Sequence, residues 1–255
     1  MVACIVLLPL LAGCAGPHGG KHTGQTPAGA EPAVRVEPES LVEVFPGVRV
    51  DAAAGVVEID ARVATDVHDP RTPDVFLEVV ACTRDTREYE SLVVIDAKAS
   101  QVHAGLLLIG LEPGAPGRWK PEGSGVVPIE PSGEPVRIRL RYEGEHGPCE
   151  AAVEEWIRVR RDDGASEAMP AMEFVFAGSR FRVVQGSERY LGDVEGTVIG
   201  LTTFGTEVIA PRAMHHPSAQ IEEPRLMARN EVIPGVNSPV VVRVERIRDR
   251  SAPGS

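Results

Sequence analysis

The chain has 255 residues, of which 43% are hydrophobic, 25% charged and only 4% aromatic, with 26 glycines and 22 prolines. This balance excludes a wholly disordered or collagen-like polymer, and it predicts many turns around a core of Val, Leu, Ile and Ala. The formal net charge of −11 excludes a broad electrostatic footprint for nucleic acid, so no nucleic-acid partner is expected.

Val2 to Ala12 is an almost unbroken apolar run that ends at Gly13 and Cys14. It is too short for a mature transmembrane helix, which needs ~20 residues, but it fits the apolar segment of a cleaved export signal, ~7–15 residues. A buried N-terminal strand is the alternative; Pro9 and the glycine-rich sequence beyond Cys14 argue against it. Leu11-Ala12-Gly13-Cys14 resembles the lipobox of bacterial lipoproteins, although no Lys or Arg precedes Cys14 as in most export signals. The resemblance implies that residues 1–13 are a signal peptide and that Cys14 carries diacylglycerol. Two or three acyl chains attach a protein to a membrane almost permanently. Ala15 and Gly16 stand where an aspartate marks inner-membrane retention in enterobacterial lipoproteins. The resemblance thus implies the outer membrane, or another extracytoplasmic face, as the destination.

Residues 14–38 read as a lipid-anchored flexible tether, because their glycines, prolines and polar residues offer little to bury. His18 and His22 fall there as polar spacers. A single globular domain is expected over 39–250, with a disordered tail at 251–255.

Within that domain, period-2 alternation predicts strands at Val57–Val63, Val136–Tyr142 and Val240–Val244. Each has one face for a core and one mostly for water, as in antiparallel sheets. Further strands are expected at Val75–Cys82, Leu92–Ile95, Phe174–Ala177, Thr197–Thr203 and Glu207–Ala210. One helix is expected near 100–110, capped by Ser100 and stopped by Gly110 and Pro113. Its second half is apolar on every side, which predicts burial. A short second helix is suggested near 150–157, with Val153, Trp156 and Ile157 on one face. The sum is a β-rich α+β fold of mostly antiparallel sheet, a sandwich-like body. Arg243, Arg246, Arg248 and Arg250 read as a solvated basic tail, and His215-His216 as a surface turn.

Of four cysteines, Cys4 leaves with the signal and Cys14 is lipidated, which leaves Cys82 and Cys149. Outside the cytoplasm these two can pair, but Cys82 ends an apolar run in which a buried thiol is unremarkable, and two independent thiols are favoured. There is no CxxC to signal a zinc ribbon or a redox site. No metal or other cofactor is expected.

The block from Cys82 to Gly114 resembles the YdjY domain family, through Glu90-Ser91-Leu92-Val93-Val94, Asp96-Ala97, and Ser100-Gln101-Val102-His103-Ala104-Gly105-Leu106-Leu107-Leu108. Gly110-Leu111-Glu112-Pro113-Gly114 completes it. Phe176-Ala177-Gly178-Ser179-Arg180-Phe181 and Asp193-Val194-Glu195-Gly196 are similar to the longer, planctomycete-type members. The resemblance implies an extracytoplasmic or lipid-anchored protein with no assigned reaction. Glu90, Ser91, Asp96 and His103 are the polar cluster worth weighing, as a ligand-binding site, a structural network or a Ser-His-acid hydrolase set. Nothing like Gly-x-Ser-x-Gly surrounds Ser91, so no catalytic residue is assigned. The expected function is a lipid-anchored binding or scaffolding domain of the bacterial cell envelope, held to the membrane through Cys14 and meeting an envelope protein. An envelope enzyme, or a redox or metal accessory protein using the Glu90–His103 region, is the alternative.

Overall fold

The computed structural model describes residues 40–247, other than 73 and 124. Residues 1–13 and 14–38, expected as a signal and a tether, the expected C-terminal tail, Cys14, Arg248 and Arg250 therefore lie outside the described residues.

β1 (Val42–Phe45), β2 (Val48–Asp51) and β3 (Val56–Val63) form an antiparallel meander. β4 (Val79–Thr83) and β5 (Ser91–Ile95) follow, then α1 (Ala99–Leu108). An excursion comes next: β6 (Pro113–Ala115), β7 (Arg118–Glu122), β8 (Gly125–Ile129) and β9 (Ser132–Gly133), in which β7 pairs β8 and β6 pairs β9. β10 (Pro135–Gly144) and β11 (Gly147–Ala152) form a long hairpin. β12 (Ile157–Arg160) and β13 (Ser166–Ala168) form a second sheet, and β14 (Phe174–Phe176) returns to the main one. β15 (Phe181–Val184) and β16 (Ser187–Tyr190) lead into α2 (Leu191–Glu195). β17 (Thr197–Gly200), β18 (Ile209–Pro211), β19 (Leu226–Ala228) and β20 (Pro239–Arg246) complete the fold, with β19 beside β12.

Eight strands close into a barrel in the order β3-β20-β10-β14-β18-β17-β4-β5, with β5 returning to β3. The closure depends on the length of β3. Its first half pairs β2 from Val56 to Ile59, and its second half pairs β5 from Ala61 to Val63. The body is thus β-rich and mostly antiparallel, closed on itself instead of built as two facing sheets. Among the described residues only β4/β5 and β17/β18 are parallel.

The alternating strands behave as expected on their inner face: Val57, Ile59, Val63, Ile138, Leu140, Val240, Val242 and Val244 are buried. Their outer face differs from expectation. Glu58 and Arg243 are only 6% and 5% exposed, because charges cover one another across β2, β3, β20, β10 and β11. Arg243 stands opposite Glu58 and bonds it at 3.1 Å; Arg141 bonds the same carboxylate at 2.8 Å and Glu150 at 2.7 Å. Arg243 is therefore part of a buried ion network and not of a solvated tail.

α1 ends as predicted. Gly110 adopts φ 78°, Gly110 N–H donates to Leu107 O and Leu111 N–H to Leu106 O, a Schellman stop. Its start differs. Ser100 lies within the helix, and its N–H donates to Asp193 Oδ1 of α2 at 2.8 Å, while Gln101 Oε1 accepts from Lys98 N–H. Burial also differs: Val102, Gly105 and Leu106 pack down, but Leu107 and Leu108 are 46% and 53% exposed. The helix lies on β2 and β3, with Gly105 against Val48 and Val57, so only one face can be covered. Residues 150–157 hold one 3-10 turn, Val153–Trp156, between two strands; the second α-helix is Leu191–Glu195.

Candidate functional site

The four residues singled out in the sequence lie in three places. Glu90 and Ser91 sit where β5 begins. β4 and β5 run parallel with Val79 opposite Ser91, so the residue before each strand, Glu78 and Glu90, falls side by side at one end of the barrel. Glu78 N–H donates to Glu90 O at 3.0 Å. Burial, then the neighbouring charge of Glu90 and a hydrogen bond to it, push the Glu78 carboxyl up to about 7. A proton on Glu78 relieves both its desolvation and its repulsion from Glu90.

Arg87 organises this pair. Its Nη1 donates to Glu90 Oε1 at 2.7 Å, its guanidinium lies 3.9 Å from the centre of the Phe204 ring, and its carbonyl accepts the Ser91 hydroxyl at 2.6 Å. Phe204 is held in turn by Glu207, a fully buried residue whose Oε1 accepts Phe204 N–H and Gly205 N–H. His215 and His216 border the same end. His215 Nδ1 meets Glu222 Oε1 at 2.7 Å, His216 N–H donates to Glu222 Oε2 at 2.6 Å, and the His216 ring contacts Trp119. The two histidines are thus bonded into the barrel end and are more than a surface turn. The hollow between Glu78, Thr202, His215 and Glu222 is about 30 Å³, enough for a water molecule and too small for an organic substrate.

Asp96 is on the surface. It accepts from Arg84 Nε and from Arg62 at 3.1 Å, and these guanidinium groups hold its carboxyl below the usual range despite some desolvation. It borders a cleft of about 570 Å³ at the start of α1, lined also by Arg84, Lys98, Arg189, Tyr190 and Asp193. That volume is in the range of small-molecule sites, but its lining is charged where such sites are usually apolar.

His103 lies three residues beyond Ser100 on α1 and reaches Tyr190, which also lines this cleft. Its Nδ1 is 3.0 Å from Gly178 O and 2.9 Å from Tyr190 Oη, and Tyr190 Oη also donates to Gly178 O at 3.0 Å. Gly178 adopts φ 82°, and a Cβ there would meet Pro113 at 2.5 Å, so only glycine presents this carbonyl. Burial lowers the His103 pKa, partly offset by its bond to Gly178.

Ser91 and His103 therefore have separate partners, and the Ser-His-acid set does not form. Among the described residues no three His, Cys, Asp or Glu side chains are grouped to hold a metal ion. Cys82 is buried and Cys149 exposed, both free thiols; burial pushes the Cys82 thiol up, which makes it unreactive.

Sequence reasoning missed Glu78, Arg87, Gly178 and Tyr190. Glu78 left one trace, an acidic residue inside the apolar stretch Val75–Cys82.

The His103 site carries a prediction. Between the depressed folded value and 6.5 the unfolded chain binds a proton that the folded chain does not, so this group costs stability as pH falls below about 6.5. His103→Gln should flatten that acid limb. Urea midpoints compared on either side of pH 6.5 test it, and an unchanged slope would contradict it.

The fold and site define a closed eight-stranded β-barrel domain with one helix laid on its meander and paired carboxyl groups at one end. A family model, the YdjY domain, matches residues 48–245, and the chain belongs to this family of uncharacterised function. No curated protein and no solved structure matches the chain.

Proposed function

We propose that this YdjY-domain protein is a lipid-anchored binding domain of the bacterial cell envelope, tethered by a diacylglyceryl Cys14 and facing the periplasm or the cell exterior. Leu11-Ala12-Gly13-Cys14 at the end of an eleven-residue apolar run carries the reading of compartment. The segment from Cys14 to Ser40 reaches at most ~90 Å if extended, enough to let the barrel meet a partner near the bilayer. The charged cleft beside α1 supports a binding role: Arg84, Lys98, Asp96 and Asp193 offer both signs of charge to a polar ligand or to a partner's side chains. The separation of Ser91 from His103 gives no support to the hydrolytic alternative.

Detergent phase partition of the native chain, and of a chain begun at residue 14 with Cys14→Ser so that both the apolar run and the lipid are missing, tests the anchor. The native chain is expected in the detergent phase and the variant in the aqueous phase. Equal partition of the two would overturn the reading.

A further inference from the structure

We propose that the β15–β16 hairpin is a second, non-covalent membrane contact, an amphipathic arm that docks on an anionic lipid surface. The hairpin pairs only with itself, through the register Phe181↔Tyr190, Arg182↔Arg189, Val183↔Glu188. Its turn, Gln185-Gly186, has positive φ at both residues (51° and 77°), the geometry of a tight two-residue hairpin.

Register partners project on one side of a hairpin, so the arm has two unlike faces. One carries Phe181 and Val183, 65% and 68% exposed, the most exposed large hydrophobic residues among those described, together with their register partners Tyr190 and Glu188. The other sets Arg182 directly opposite Arg189. Like charges in that position repel, and neither has an ion-pair partner among the described residues. Arg180 precedes them, and Glu188 is the only acidic residue of the arm. A protein of net charge −11 thus concentrates unpaired arginines on its most apolar projection.

The base is rigid. Tyr190 is locked to His103 and Gly178, its ring meets Phe181 at 5.2 Å, and Leu191 N–H donates to Arg180 O at 2.8 Å. Elsewhere on the described surface, Leu107 of α1 is 46% exposed and Val194 of α2 51%.

A bilayer with anionic headgroups fits both faces at once. The headgroups neutralise the opposed arginines, while Phe181 and Val183 enter the headgroup–acyl boundary. An acidic protein would satisfy the arginines, but a convex projecting arm offers it no groove for the apolar side. The proposal rests on the envelope reading for the presence of a bilayer, though not on the lipid at Cys14.

The test uses the chain from residue 14 carrying Cys14→Ser, which removes both the apolar leader and any lipid, in co-sedimentation with phosphatidylglycerol/phosphatidylcholine vesicles and with pure phosphatidylcholine vesicles. Binding to the anionic vesicles is expected, weakened by salt. Arg182→Glu/Arg189→Glu should weaken it by about 25-fold or more, from ~1 kcal/mol per basic residue at an anionic surface. Phe181→Ser/Val183→Ser should also weaken it, and both pairs alter exposed side chains, so an unchanged thermal midpoint confirms folding. No binding to anionic vesicles, equal binding to pure phosphatidylcholine, or binding unaffected by either variant pair would overturn the proposal. Retention on a polyglutamate resin without vesicle binding would overturn it in favour of an acidic protein partner. Failure of the lipid anchor is read separately, from the partition of the native chain.

Discussion

Glu58→Ala is expected to lower the unfolding free energy by about 3 kcal/mol, because it removes a buried carboxylate on which three guanidinium groups converge. Arg243 is 5% exposed and bonds Glu58 at 3.1 Å, while Arg141 and Arg49 converge on the same carboxylate at 2.8 and 3.7 Å. Arg243 keeps Glu245 at 2.7 Å, but that carboxylate is shared with Arg137. The loss comes from desolvated charge and not from any intrinsic strength of a salt bridge. The double variant Glu58→Leu/Arg243→Leu should therefore recover much of it. Urea unfolding of the three proteins checks both parts; a loss below ~1 kcal/mol in Glu58→Ala would show that water still reaches the network.

The second large effect is pH-dependent and lies at the opposite end of the chemistry. The Glu78 carboxyl moves from 4.5 to about 7 on folding, so between those values the folded chain holds a proton that the unfolded chain has released. Its contribution to stability is complete below about 4.5 and is lost as pH rises through 7. Glu78→Gln, neutral at every pH, should exceed the native protein by about 1–2 kcal/mol near pH 8, a figure discounted because the side chain is partly exposed. The two should converge in acid. Thermal midpoints across that range measure the difference, and a constant offset would contradict the raised Glu78 titration. The signs at Glu78 and His103 oppose each other. The native protein can thus show a flat stability curve near pH 6 that conceals two titrations, which the single variants separate.

Local chemistry was readable from the chain. Alternation in Val57–Val63, Val136–Tyr142 and Val240–Val244 located strands whose inner faces are buried, and Gly110 with Leu111 located the stop of α1. What escaped depends on contacts distant in sequence. The cap of α1 is Asp193, 93 residues beyond Ser100, and no local pattern announces it. Barrel closure depends on β3 sharing one edge between β2 and β5. Glu78 and Glu90 meet because two strands run parallel in one register, so a cluster drawn along the chain joined Glu90 to His103 and overlooked Glu78. Arg243 read as solvated because its strand alternates, yet the outer face of a five-strand array can bury charges under their own ion pairs.

The account depends most on where the mature chain begins and what its first residue carries. Mass spectrometry of the N-terminal peptide from the native membrane fraction measures both. It should start at Cys14 with the mass of a diacylglyceryl thioether. A peptide that retains Met1 with an unmodified Cys14 would contradict the anchor and the compartment assigned to the barrel.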